Sequence, residues 1–228
     1  MQKQDYSIYS RPVTVAFDYT STRRIPNRYF GDNLEHTRGC ISGGLSAQML
    51  KNRKFASLPQ RDGCPVGWDR IGGFFAIPWE NCYTRHYEGY CMKRAHESHD
   101  LVITGYGKGV SGIAQDGLYL RAGEEYLFTM GAKAFRPMDV KVTLLDCGTV
   151  LAEKTIRVEN GEFASLDAVL VPNATAENGR IEITFTGEAS LTLGAVSLMP
   201  RDNFRGMRKD VIALMKKLGI SGAFTPPT

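Results

Sequence analysis

Several groups of residues in this sequence carry side chains capable of chemistry. Glu124 and Glu125 are adjacent carboxylates. In a strand they would point to opposite faces, which makes them a poor acid–base pair. His96-Glu97-Ser98-His99 has residue types found in metal sites, but the helical zinc pattern needs histidines four apart and a further ligand, so a polar turn is the simpler reading and no metal is expected. Cys40 lies close to Arg38, a neighbour that could activate a thiol. No His or Asn partner can be argued for it, and a small packed residue is the plainer account. Trp68, Phe74, Phe75, Trp79, Tyr83, Tyr87 and Tyr90 place seven aromatics within 23 residues. Exposed rings can stack on the apolar faces of sugars. Most of these rings are expected in a core, because aromatics pack. Trp79 and Tyr83, which flank the polar Glu80-Asn81 step, are the candidates for an exposed stacking surface.

The elements that must position these groups differ between the middle of the chain and its ends. Tyr126–Met130, Val140–Leu145, Thr155–Val158, Ala168–Val171, Ile181–Phe185 and Leu191–Val196 are short, β-branched or alternating runs separated by Gly, Asn and Asp. Such spacing predicts an all-β sandwich. Alternation would bury Val140, Val142, Leu144, Ile181, Ile183 and Phe185 and turn Lys141, Thr143, Glu182 and Thr184 to water. Toward the C-terminus, Phe204, Met207, Val211, Leu214, Met215 and Leu218 recur at helical spacing, with Asp202 or Asn203 as N-cap and Gly219 as the stop. Near the N-terminus, Tyr29–Leu34 reads as a strand and Leu45–Asn52 as a helix.

Charge divides the chain in the same way. Lys and Arg number 9 against 4 Asp and Glu in residues 1–56, 13 against 18 in 57–198, and 6 against 2 in 199–228. Basic flanks around an acidic centre suggest one unit set between two pieces of another. The expected division is therefore 1–56 as N-terminal strand segments and the start of an α/β domain, 57–198 as the sandwich, and 199–228 as the returning helix. No nucleic-acid partner is expected, since the basic flanks carry neither a recognised module nor interleaved aromatics. The sequence has no apolar run of ~18 residues, so no membrane partner is expected. Its polar start, Met1–Ser10, is not a signal-peptide pattern, and a cytoplasmic location follows as the expectation. Five cysteines, an odd number without a CxxC pair, fit reduced thiols better than a disulfide framework.

Two flanking stretches carry a resemblance. Phe30-Gly31-Asp32-Asn33-Leu34-Glu35-His36-Thr37-Arg38-Gly39-Cys40, with the continuation to Phe55, resembles the first barrel strand and following loop of the α-L-arabinofuranosidases of glycoside hydrolase family 51. Ser197-Leu198-Met199-Pro200-Arg201-Asp202-Asn203-Phe204-Arg205-Gly206-Met207-Arg208-Lys209-Asp210-Val211 resembles the re-entry of those enzymes into their barrel. Between them, Gly112-Ile113-Ala114-Gln115 with Leu118, Leu120, Gly123 and Tyr126 is similar to the early strands of a carbohydrate-binding module. The resemblance implies a mainly β chain: a jelly-roll, galactose-binding-like β-sandwich inserted between the first strand and first helix of an incomplete (β/α)8 barrel. A complete barrel takes ~250 residues, far more than the flanks supply.

The resemblance also implies a function. The parent protein would be a retaining glycosidase of carbohydrate metabolism acting on terminal α-L-arabinofuranosyl residues of plant polysaccharides such as arabinan and arabinoxylan, without a cofactor. Glu35 and Asn33 would contact the sugar. In place of the family's next strand, roughly Leu-Arg-Trp-Pro-Gly-Gly, this sequence reads Ser221-Gly222-Ala223-Phe224-Thr225-Pro226-Pro227-Thr228. Two prolines do not fit a central parallel strand, so that strand is expected to be absent or replaced. The family's two catalytic glutamates belong to later strands, and no catalytic residue is assigned within this chain, which is expected to be inactive alone. The alternative is a non-catalytic carbohydrate-binding or structural sandwich. The uncovered apolar face of the C-terminal helix would favour a homo-oligomer.

Overall fold

The computed structural model describes residues 14–17, 32–33, 41–56, 59–76, 99–219 and 223–224. In chain order the elements are β1 (Asp32–Asn33), a π-helical turn (Ile41–Leu45), β2 (Asp69–Ile71), β3 (Phe74–Ala76), β4 (Leu101–Thr104), β5 (Val110–Leu120), β6 (Tyr126–Ala134), β7 (Met138–Asp146), β8 (Thr149–Val158), β9 (Ala164–Leu170), β10 (Ala176–Thr186), β11 (Ser190–Pro200), helix α1 (Lys209–Lys217) and β12 (Ala223–Phe224). The chain is mainly β. Two five-stranded antiparallel sheets, ordered β2-β5-β10-β7-β8 and β3-β4-β11-β6-β9, enclose a single apolar core.

Alternation builds that core. On the first sheet, Ile181 faces Leu144 and Gln115, and Ile183 faces Val142 and Ile113. Ile113, Val140, Val142, Leu144, Ile181 and Ile183 are all fully buried. From the second sheet, Tyr126, Phe128, Met130 and Ala132 alternate inward and meet Val196 and Leu198 of β11. Truncating such a residue, Ile183 for example, to alanine would cost about 2–5 kcal/mol in lost transfer energy and cavity formation. The β7–β8 hairpin turns through Cys147 and Gly148, at φ 47° and 82°. Positive φ at both central residues matches the strand twist, and Gly148 supplies it without a Cβ penalty.

All six strand runs read from the sequence form, five of them wholly within a longer strand and Ala168–Val171 all but its last residue, since β9 ends at Leu170. Two residues depart from the alternation: Thr143 and Thr184 sit on the outward face yet are 5% and 7% exposed. Their cross-strand neighbours include Glu153, Glu182 and Lys141. The stems of these long side chains shield a short threonine while their heads reach water. Lys141 and Glu153 meet at 3.1 Å above them.

The flanks differ more from expectation. Leu45–Asn52 is not a helix. After the π-helical turn, this segment runs along the edge of β11. Along β11, β4 covers only Ser190–Leu193, and beyond that point it leaves the edge of β11 open. Met49 donates its N–H to Leu198 O at 3.0 Å, and Val196 donates to Arg53 O at 3.0 Å. The segment thus takes the place of a strand along an edge that would otherwise be unpaired. Its other donors are also spoken for: Ala47 N–H goes to Gly206 O, Leu50 N–H to Gln48 Oε1 and Lys51 N–H to Gln115 Oε1. These tertiary bonds replace the i−4 ladder that helical periodicity anticipated.

The C-terminal helix is shorter than its periodicity. It spans Lys209–Lys217 with Arg208 at the N-cap and no side-chain cap. Neither Asp202 nor Asn203 caps it: Asn203 accepts instead from Gly206 N at 2.7 Å and closes a turn in which Phe204 and Met207 pair with each other. Gly219, at φ 74°, ends the helix as expected. Asp210 in its first turn and Lys216 and Lys217 in its last complement the helix dipole.

A strand forms where prolines argued against one. β12 pairs in parallel with β1, Asp32 opposite Ala223 and Asn33 opposite Phe224. Ala223 and Phe224 precede Pro226 and keep their N–H groups, so the proline restriction falls beyond the pair. Two parallel strands flank the sandwich and α1 in the chain, the connectivity of a β-α-β crossover with a β-domain inserted before its helix.

Candidate functional site

A cleft of about 510 Å³ opens where the sandwich meets the returning chain. Its floor is the edge-covering segment. Gln48 holds that floor: its Nε2 donates to Ser197 Oγ at 2.8 Å, while its Oε1 accepts from Leu198 N at 3.1 Å and from Leu50 N at 3.0 Å. An isolated glutamine has no sequence signature, and placing residue 48 on a helix hid its role.

One wall is the turn between β5 and β6. Gly123, at φ 75°, donates its N–H to Pro172 O, and Ala122 N–H reaches Thr175 Oγ1. Tyr126 anchors the turn from below, its ring 1% exposed. Its hydroxyl accepts from Arg121 N at 2.9 Å and donates to Glu124 Oε2 at 3.1 Å. Burial first, and then the Glu124 carboxylate, push the Tyr126 hydroxyl up to about 12, against a lowering by the Arg121 backbone N–H. Above it the Tyr119 ring is half exposed, with the Arg121 guanidinium 5.6 Å from its centroid. Glu125 turns the other way and pairs with Arg201 at 2.9 Å. The adjacent carboxylates therefore diverge and form no acid–base pair.

The opposite wall is the stretch from Pro200 to the first turn of α1. Arg201 N–H bonds Glu125 O at 2.7 Å, and Arg208 N–H bonds Leu45 O at 2.8 Å. Lys209 pairs with Asp202 and Arg208 with Asp210. The Arg208 guanidinium holds the Asp210 carboxyl below its usual range.

A second charged group lies on the outer face of the first sheet. Arg180, from β10, bonds Glu182 at 2.9 Å, Asp69 of β2 at 2.9 Å and Asp116 of β5 at 2.8 Å. Burial alone would lower its affinity for the proton, but hydrogen bonds to the three carboxylates hold the guanidinium above its ordinary value. These carboxylates brace three strands around one cation. Among the described residues, no group of three His, Cys, Asp or Glu is arranged to hold a metal ion.

The sequence-derived candidates fall differently. Glu35, Trp79 and Tyr83 lie outside the described residues, as do Cys40, His96, Tyr87 and Tyr90. Asn33 is placed only by its backbone in β1. From the aromatic run, Trp68 is core, Phe75 packs against the core, and Phe74 is 64% exposed and meets Tyr106 edge to face at 5.1 Å.

No family model matches the chain. Sequence comparison finds α-L-arabinofuranosidase 2 of Arabidopsis thaliana, 25% identical over 220 residues, covering 90% of this chain and 32% of that protein. An extracellular exo-α-L-arabinofuranosidase of Streptomyces chartreusis is 25% identical over 215 residues, covering 91% and 24%. This chain is similar to α-L-arabinofuranosidases. The resemblance read from the flanking motifs thus extends through the sandwich between them. The chain spans about a third or less of the length of these relatives. An arabinose-bound α-L-arabinofuranosidase of glycoside hydrolase family 51 shares the fold, with a TM-score of 0.67 at 18% identity over 87% of this chain and 34% of that one.

Proposed function

We propose that this chain serves a retaining α-L-arabinofuranosidase as its sandwich and barrel-entry portion, and that hydrolysis of terminal α-L-arabinofuranosyl residues in arabinan or arabinoxylan requires barrel elements beyond it. The parallel pairing of β1 with β12 carries this reading. In parallel α/β architectures, ligands bind beyond the carboxyl ends of the strands. Glu35 follows β1 by two residues, so its assigned role, with Asn33, is to hold the sugar there. Retaining hydrolysis further needs two carboxyl groups about 5 Å apart, one to protonate the leaving oxygen and one to attack the anomeric carbon. Asp69, Asp116 and Glu182 do not qualify: each commits a carboxylate oxygen to the Arg180 guanidinium, which stands among them where a sugar would have to sit. The purified chain is expected to release no nitrophenol from 4-nitrophenyl α-L-arabinofuranoside above background. Turnover that survives repurification to constant specific activity would overturn the proposal.

A bracing role for the sandwich is supported by its hydrogen bonds to the flanks through Gln48, Met49 and Arg201. The alternative, polysaccharide binding through Trp79 and Tyr83, predicts retardation in arabinoxylan gels that Trp79→Ala and Tyr83→Ala abolish. Equal mobility of all three proteins with and without polysaccharide would leave the bracing role standing.

A further inference from the structure

We infer that the cleft between the β5–β6 turn and the start of α1 is a binding site for a short neutral oligosaccharide. Its volume, about 510 Å³, lies within the range of small-molecule sites. Charge decides the class of ligand. Arg208 is matched by Asp210 and Lys209 by Asp202, while Arg121 is held first by the Tyr119 side chain and feels the Glu124 carboxylate at longer range. Three cations, Arg121, Arg208 and Lys209, line the cleft with three anions, Glu124, Asp202 and Asp210, so it offers no net charge to hold a phosphate, a uronate or an amine. What it does offer is donors beside acceptors, spaced as ion pairs are spaced. A sugar hydroxyl both donates and accepts, and vicinal hydroxyls can bridge such a pair without displacing it.

The second feature is Tyr119. Its position in β5 is the outward one, away from the core residues Leu118 and Leu120, and its ring is half exposed at the lip of the cleft. Arg121 lies over the ring and limits its movement. A ring held in this way is a platform for the apolar C–H face of a sugar. The cleft also joins two parts of the molecule, one wall from the sandwich and the other from the chain leading into α1. An occupant would touch both and draw them together, so binding is expected to raise the thermal midpoint as well as to saturate. None of these residues is among those assigned to the sugar at the end of β1, and the inference stands whether or not the arabinofuranosidase reading does.

The test is a titration of the full chain, followed by heteronuclear NMR, with arabinotriose and xylotriose as neutral probes and trigalacturonate as an anionic one. Saturable shifts with a neutral trisaccharide are expected. Tyr119→Ala should weaken affinity by roughly tenfold, Tyr119→Phe should retain it, and Phe135→Ala, an exposed ring elsewhere on the sandwich, should leave it unchanged. Trigalacturonate should bind no more tightly than the neutral probes. Four results would each overturn the inference: no saturable shift with either neutral probe, undiminished affinity in a folded Tyr119→Ala protein, equal loss in Phe135→Ala, or preference for the anion. The aryl-arabinofuranoside assay is read separately and is indifferent to all four.

Discussion

Replacing Gln48 by alanine tests the account of the edge-covering segment through the sign of its effect. Gln48 Oε1 accepts from two backbone N–H groups, of Leu198 and Leu50, and its Nε2 donates to Ser197 Oγ. Gln48→Ala removes the acceptor and leaves both donors without a partner inside a half-buried seam. Each buried donor left unsatisfied costs about 1–3 kcal/mol, and water entering the seam offsets part of this, so a net loss of about 2 kcal/mol is expected. For a chain of this size that lowers the thermal midpoint by roughly 4–8 °C. A helix over Leu45–Asn52 would respond in the opposite direction, because alanine is the better helix former and the substitution would stabilise by a few tenths of a kcal/mol at most, roughly. Differential scanning calorimetry on the wild type, Gln48→Ala and Gln48→Glu separates the two. Gln48→Glu keeps the acceptor oxygens and loses only the donor to Ser197, so it should lose less than Gln48→Ala. A midpoint that rises or stays level in Gln48→Ala, or an equal loss in both variants, would refute the role given to Oε1.

Gly112→Ala should destabilise by about 1–3 kcal/mol in urea titration, because a Cβ there would run into the backbone of Ile183 and Thr184 on β10 and force the strands apart. Alkaline stability should depend on Tyr126: its hydroxyl is pushed from 10.0 up to about 12, so the folded state holds the proton more tightly. That contribution is complete below the unfolded value and is lost as pH rises toward the folded one. Thermal midpoints measured from pH 9 to 11.5 should therefore fall less steeply in Tyr126→Phe than in the wild type. Cys64, also pushed up to about 12 chiefly by burial, contributes in the same direction and should keep the variant's slope from vanishing. Leu214 and Leu218 of the C-terminal helical region are 55% and 68% exposed, and sedimentation velocity should show concentration-dependent association that Leu214→Lys with Leu218→Lys abolishes.

The sandwich was legible because its information is local. Val140, Val142 and Leu144, and Ile181, Ile183 and Phe185, alternate at the period of the pleat, and one buried face per sheet leaves little freedom in register. Gly219 marked the end of the helix for a similar reason: positive φ is nearly free for glycine alone. The exceptions Thr143 and Thr184 show where alternation stops being sufficient. A residue on the outward face can still be buried when longer neighbours from adjacent strands close over it, and pairing partners are not written in a strand's own pattern.

The candidate site was much less legible. Leu45, Met49 and Asn52 have helical spacing, and within about eight residues a helix period and an edge-following segment look alike. What decided between them was the vacant edge of β11 beyond the end of β4, together with acceptors at Leu198, Gly206 and Gln115 that lie far away in sequence. The same holds for the cleft. Its walls come from residues 117–126 and 200–210 and its floor from residues 43–49, so no window of sequence contains it. By itself, the sequence determined the β-sandwich, its core faces, its insertion between basic flanks and the likeness to arabinofuranosidases, because each of these is recorded in short-range pattern or contiguous motif. Tertiary structure alone decided which segment covers the open strand edge, which charges neutralise one another and where a ligand-sized space remains. Those outcomes depend on hydrogen-bonding groups and ions that meet only after the sheets have formed, and the free energy that selects them does not exist in the unfolded chain.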